Sequence, residues 1–246
     1  RPRATADQAK TCQPDGDRGP SGTRTPGFFY PRSCPSVAQH TFDLVVLGGG
    51  SAGYAAAIRG VELGMSVVLI EKNKVGGTCL HVGCIPTKAL LHAAEVADTA
   101  RDAAKFGVNA DFHGVDVPAV KAYRDEVVSS KYKGLQGLLK ARKIVTVEGA
   151  GRLVSPTTVQ VGDDEYVGTN VILATGSYPR SLPGLEIGGR VITSEQALEL
   201  DHAPQKDVIL GGGVIGVEFA SEWRSWGADV HIVEGLPHLV PNEDEA

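Results

Sequence analysis

No apolar run in this 246-residue chain approaches the roughly 20 residues that a membrane-spanning helix needs. Strong charge of one sign is missing too. The formal net charge is −5 and the pI near 5.8, which gives no general electrostatic drive toward nucleic acid or a membrane surface. Neither is expected as a partner. Cysteine is scarce: four residues are a thin framework for a secreted, disulfide-stapled protein, so a cytoplasmic setting is expected. His92, His113, His202, His231 and His238 show no ligand spacing, so no metal is expected. The 42% hydrophobic content supports a sizeable core in one or two domains.

Residues 1–40 stand apart, with prolines, scattered charges and no period, and are expected to be a disordered extension. Cys12 and Cys34 within them are expected to pair with nothing. A transit helix fits poorly, because Asp7, Asp15, Asp17 and the prolines interrupt any amphipathic face. The chain begins with Arg1 rather than methionine, so this end is expected to be incomplete or non-native.

From Phe42 the pattern becomes regular. Phe42–Leu47 is a short apolar, β-branched run that enters Gly48-Gly-Gly50-Ser51-Ala52-Gly53 and then the small residues Tyr54–Ala57. A second apolar run, Ser66–Ile70, ends at Glu71. Strand, glycine turn, helix, strand and acid in this order make a dinucleotide-binding unit. Gly48 permits the tight turn, Gly50 lets backbone approach a pyrophosphate, and Gly53 with Ala57 lets helix pack on strand. The helix N-terminus offers amide donors to phosphate, and the acid twenty-three positions after Gly48 can accept from a ribose hydroxyl.

The construction recurs. Asp207–Leu210 leads into Gly211-Gly-Gly213-Val214-Ile215-Gly216, a helix through Trp226, and a strand Asp229–Val233 that ends at Glu234, again twenty-three positions on. Two units suggest two dinucleotides and electrons passing between them, although a duplicated turn with one working site gives the same pattern. Glu234 bears on which dinucleotide. At about 5 Å and an effective dielectric of about 20, its carboxylate would repel a 2′-phosphate by roughly 3 kcal/mol per unit charge. No arginine follows it in Glu234–His238, so NAD is expected over NADP.

Between the two units lies Gly76-Gly77-Thr78-Cys79-Leu-His-Val-Gly83-Cys84-Ile-Pro86-Thr-Lys88. In a regular helix five positions span about 7.5 Å along the axis. A disulfide tolerates a Cα separation of at most about 7 Å. Were Cys79 and Cys84 to bond, the backbone between them would have to leave helical geometry, and Gly83 and Pro86 would permit that. Two independent thiols near a helix start is the other reading. His81, inside the segment, is read as a local polar residue rather than a catalytic base. Further along, Ala89–Ala104 and Val117–Lys143 are helical, Ile144–Val147, Thr158–Val161 and Val171–Leu173 are strands, and Ser177–Lys206 is a crossing.

With Ala174-Thr175-Gly176-Ser177, Gly211–Ala220 (which includes Glu218) and Pro241–Glu245, these motifs make Phe42–Glu245 resemble the pyridine nucleotide–disulfide oxidoreductases. The resemblance implies an α/β fold: a FAD/NAD(P)-binding, Rossmann-like three-layer unit over residues 41–180, carrying the redox disulfide, and a second, truncated nucleotide-binding domain over residues 181–246. It implies FAD at the first turn, with Glu71, Lys72, Gly77, Thr78, Cys79, Lys88, Gly151 and Ala174–Ser177 around it, and NAD at the second. It makes Cys79 and Cys84 a disulfide, with Cys79 exchanging with substrate and Cys84 facing the flavin. It puts Lys88 beside the flavin in a buried pair with Glu218.

Leu80 and Ile85-Pro86 look most like the lipoamide branch. That branch implies dihydrolipoamide on a lipoyl domain of a 2-oxo acid dehydrogenase complex as substrate, and a homodimer in the full-length parent. A glutathione-type or mercuric reductase, or a non-catalytic nucleotide-binding fragment, are the alternatives. Family members continue for roughly another two hundred residues, through a dimerisation domain with an acid–base His-Glu pair. This polypeptide alone is therefore expected to turn over poorly and to leave the apolar faces of its second sheet exposed.

Overall fold

In the computed structural model, which describes residues 38–244, β1 (Gln39–Leu47) begins two residues before the expected domain boundary. Its second half is buried on both faces, as is β2 (Val67–Glu71), and continuous apolar runs of this kind suit a parallel sheet covered on both sides. The two pair in parallel, Leu44 opposite Val67 through Leu47 opposite Ile70. Between them α1 (Ser51–Glu62) lies close enough that a Cβ on Gly60 would fall 2.9 Å from Leu44 Cδ2.

Next come α2 (Gly77–His81), α3 (Cys84–Arg101), a 3₁₀ turn at Ala103–Phe106, and α4 (Val117–Ala141), whose first turn Asp116 caps by accepting from the Ala119 amide. Then follow β3 (Val145–Glu148), β4 (Arg152–Ser155), β5 (Thr158–Val161) and β6 (Asp164–Leu173). The sheet order is β3-β2-β1-β6-β5-β4, parallel through β6 and antiparallel beyond it. Alternation along β1 divides the core. Leu44 and Val46 pack with Ala57 and Leu139 under the helices, while Val45 and Leu47 pack with Val159 and Tyr166 on the other face.

The crossing carries one short helix, α5 (Ser194–Ala197), closed by a capping box between Thr193 and Gln196. Then β7 (Lys206–Leu210), α6 (Val214–Ser225) and β8 (Asp229–Val233) repeat the strand–helix–strand unit, with β7 and β8 parallel. A third apolar cluster joins the two units: Leu90 of α3 meets Leu198, Phe219 and Trp223. Arg101 donates to the Ser225 carbonyl and the Ser225 hydroxyl to Asp98, both at 2.7 Å, which adds a polar fastening between α3 and α6. The outer face of the second sheet is open as expected, with Val208, Leu210 and Val233 exposed.

Two expectations need correction. The helix expected from Ala89 starts five residues earlier, at Cys84, because Pro86 falls in its first turn, where a missing amide hydrogen breaks no bond. The sequence also hid β4, whose residues are exposed or half-buried and carry no apolar alternation. The disordered reading of residues 1–37 and the free state of Cys12 and Cys34 lie outside the described residues.

Candidate functional site

The first glycine turn is built by exclusion. Gly48 has φ +106°, and a Cβ there would lie 2.1 Å from the Ala174 carbonyl oxygen. A Cβ on Gly53 would lie 1.8 Å from the Gly48 carbonyl oxygen, so α1 can leave the turn only as glycine on glycine. At Gly50, the N-cap of α1, the nearest atom to a Cβ would be Gly77 Cα at 3.9 Å, and no side chain caps the helix. The turn thus keeps free amides and room in front of a twelve-residue helix, which fits a phosphate-bearing ligand. Glu71 closes the loop: one carboxylate oxygen accepts from the Gly49 amide at 2.6 Å, the other from the Asn73 amide at 2.9 Å. Each oxygen retains a lone pair for a ribose hydroxyl.

The second turn reproduces this bond for bond. Gly213 caps α6 with φ −72° and ψ 178°, against −69° and −173° at Gly50. A Cβ on Gly216 would lie 2.0 Å from the Gly211 carbonyl oxygen. Glu234 accepts from the Gly212 amide at 2.7 Å and the Leu236 amide at 2.8 Å. These amides, Leu236 first, hold its carboxyl below the usual carboxylate range. Val214 and Ile215 are exposed beside the turn.

The cysteine segment lies against the first turn. Gly77 has φ +59°, and a Cβ there would come within 2.6 Å of Gly50 Cα, so the start of α2 touches the turn backbone to backbone. The helix breaks after His81, through Val82 at φ −141° and Gly83 at φ −147°, ψ −116°, and restarts at Cys84. This is the departure from helix that a Cys79–Cys84 bond requires. Thr87 Oγ1 donates to the Gly83 carbonyl at 2.7 Å and steadies the restart.

The expected disulfide is not formed: both cysteines are free thiols. They interact. Burial pushes the Cys79 thiol up, the neighbouring Cys84 thiol adds to that, and the Ser51 hydroxyl at the head of α1 acts the other way. Cys84 is exposed and Cys79 half-buried. His81 accepts the local role read from the sequence, bonding the Val75 carbonyl at 2.9 Å and meeting the Tyr132 ring edge-on.

Lys88 and Glu218 do come together, at 2.5 Å, across 130 residues of chain. They are not a buried pair, however: the Lys88 side chain is 60% exposed and that of Glu218 21%. The lysine leaves the outer side of α3 and keeps its ammonium in water. Ala174 donates to the Leu47 carbonyl at 2.8 Å, which places the Ala174–Ser177 turn beside the first glycine turn. Thr175, Gly176 and Ser177 are exposed there, as are Ala52 and Lys72. Gly151 behaves differently. A Cβ on it would meet Leu47, Ile70 and Val159 at 2.5–3.0 Å, so its lack of a side chain serves core packing. Among the described residues no His, Cys, Asp or Glu group could hold a metal ion, and no helix is long and apolar enough to cross a membrane.

Sequence reading missed Glu222 and Arg124, which are 1% and 4% exposed. Glu222 falls one turn after Glu218 and beside Phe219 and Trp223, so an acid inside an apolar helical stripe was the available signal.

Paired glycine turns, each closed by a strand-end glutamate, with a thiol pair packed against one of them, make up the site. The chain belongs to the pyridine nucleotide-disulphide oxidoreductase family, whose model matches residues 42–246. It is 43% identical over 217 residues to a dihydrolipoyl dehydrogenase of Bacillus subtilis, covering 82% of this chain and 46% of that one. It is 39% identical over 225 residues to mitochondrial dihydrolipoyl dehydrogenase 1 of Arabidopsis thaliana (88% and 44%). It is 42% identical over 210 residues to leghemoglobin reductase of Glycine max (82% and 40%). Among solved structures it resembles the Cu(II) complex of the HOCl-induced flavoprotein disulfide reductase RclA from Escherichia coli, with TM-score 0.68, 30% identity, and coverage of 82% and 44%. The chain spans less than half the length of these relatives.

Proposed function

We propose that the chain is the disulfide-bearing part of a dihydrolipoyl dehydrogenase, which oxidises dihydrolipoamide to lipoamide and passes the electrons to NAD. The carrying observation is the thiol pair: Cys79 and Cys84 interact across a helix break whose leading end, Gly77, rests on the first glycine turn. In the oxidised enzyme the pair is a disulfide. A dihydrolipoamide thiolate attacks one of its sulfurs, the S–S bond breaks, and the second substrate thiol displaces the mixed disulfide. Lipoamide leaves, and Cys79 and Cys84 retain two electrons and two protons as thiols.

FAD suits the first turn, held by Gly48, Gly50–Gly53, Glu71, Lys72, Gly77, Thr78 and Ala174–Ser177, and NAD suits the second, held by Gly211, Gly213–Gly216 and Glu234. Bound FAD supplies the two-electron chemistry between thiols and nicotinamide. Lys88 stands one turn after Cys84 on α3, and Glu218 orients it. On this reading residues 41–180 form the FAD unit and 181–246 part of the NAD unit. Substrate arrives on a lipoyl domain of a 2-oxo acid dehydrogenase complex, the full-length enzyme is a homodimer, and a cytoplasmic location suits two free thiols.

The test is to load the purified chain with FAD, remove oxygen, and add dihydrolipoamide. Loss of the flavin's visible absorbance is expected, and Cys79→Ser should abolish it. Failure to retain FAD, or reduction by glutathione but not dihydrolipoamide, would refute the assignment.

A further inference from the structure

Two glutamates lie one turn apart on α6, both turned toward α3 and α4. Glu218 reaches Lys88 at 2.5 Å. Glu222 reaches no cation: it is 1% exposed, its Oε2 has no hydrogen-bond partner, and it shares a small cavity with Leu90, Leu198, Trp223 and Trp226. The indole Nε1 of Trp226 is also unpartnered.

The charged groups around this cavity are committed elsewhere. Arg124 of α4 donates to the Leu198 carbonyl and pairs with Asp125 at 2.5 Å and Glu199 at 3.3 Å. Lys121 of α4 pairs with Glu199 at 2.8 Å. His202, after α5, bonds Asp201 at 2.6 Å. From α3 the facing residue is Leu90. A carboxylate so placed has lost water and gained no cation, with one oxygen left unpartnered, so its neutral form is favoured. Burial pushes the Glu222 carboxyl up to about 8, against the opposing Arg124 charge and a hydrogen bond from Trp223.

We propose that Glu222 is a positioning residue: in its neutral form it seats α6 on α3 and α4, which holds Glu218 at Lys88, and its ionisation unseats the helix. This seating depends on the chain's own packing and holds whichever cofactors and substrate the two turns take. Its sign follows from linkage. An unfolded glutamate releases its proton near pH 4.5, whereas the folded one keeps it to about 8. Between those values the folded state binds one proton more, so its equilibrium advantage falls about tenfold per pH unit and levels off above 8.

The protein carries its own probe. Its two tryptophans, Trp223 and Trp226, both line the cavity. Tryptophan emission of the whole chain, titrated through mild alkali, should change in a single-proton step centred near 8. Glu222→Gln, a neutral isostere, should give a flat trace with native circular dichroism, and Glu222→Met supplies the same test should the glutamine variant fold poorly. The coupling between Lys88 and Glu218, taken from Lys88→Met, Glu218→Gln and the double variant, should fall on the alkaline side of the step in the wild-type background and persist there with Glu222→Gln. A flat wild-type titration, the same step in both neutral variants, or equal Lys88–Glu218 coupling on both sides of the step would overturn the proposal.

Discussion

Breaking the Lys88–Glu218 pair separates two accounts of how this protein's halves are held together. At a 2.5 Å contact the charges are as close as an ion pair allows, and in a dry interior the loss of one partner would cost about 3–5 kcal/mol. The structure argues for less. The Lys88 side chain is 60% exposed, so water already solvates the ammonium and screens the attraction. Exposed pairs contribute about 0.2–1 kcal/mol, and the lower exposure of Glu218 puts this one near the top of that range. Urea unfolding of wild type, Lys88→Met, Glu218→Gln and the double variant near neutral pH should therefore give a coupling energy of about 1 kcal/mol. It should shrink as salt rises from about 0.1 M to 1 M and the Debye length falls from about 10 Å to 3 Å. A coupling above about 3 kcal/mol that ignores salt would show that the pair is effectively buried.

The thiols should differ in rate: with the pair reduced, Cys84 should alkylate faster than Cys79, because Cys84 is exposed and burial pushes the Cys79 thiol up. Peptide mapping over time checks this, and the reverse order contradicts it. Gly53→Ala and Gly216→Ala drive a Cβ into a carbonyl oxygen and should destabilise by about 1–3 kcal/mol. Gly134→Ala, with open space around it inside α4, should stabilise by up to about 1 kcal/mol, and equal effects at all three sites would refute the packing argument. Glu234 has a depressed carboxyl, so its advantage over Glu234→Ala should be full above about pH 5 and vanish as pH falls through its folded titration. Melting curves across that range test it, an unchanged difference being the adverse result. In a full-length enzyme, Glu234→Ser should narrow the preference for NAD over NADP, and an unchanged ratio would mean that the acid serves only the Gly212 and Leu236 amides.

Both nucleotide units were legible in the amino-acid order because each is local. A buried strand, a turn that tolerates only glycine, a small-residue helix and a strand-end acid fall within about twenty-five residues, and Gly53 pressing on the Gly48 carbonyl is a contact between near neighbours. The break between Cys79 and Cys84 was expected only on condition that the two bond, yet the helix breaks at Val82 and Gly83 with both thiols free. What the order could not decide was set by partners far along the chain. The state of the thiol pair, the exposure of Lys88 at its meeting with Glu218, and the use of Gly151 as a packing gap between Leu47, Ile70 and Val159 depend on which surfaces are pressed together. β4, with no apolar alternation, exists only because β5 offers it a hydrogen-bonding edge. Glu222 is the clearest case. In the sequence it shows only as an acid within an apolar helical stripe, and the docking of α3 and α4 against α6 is what removes its water without giving it a cation.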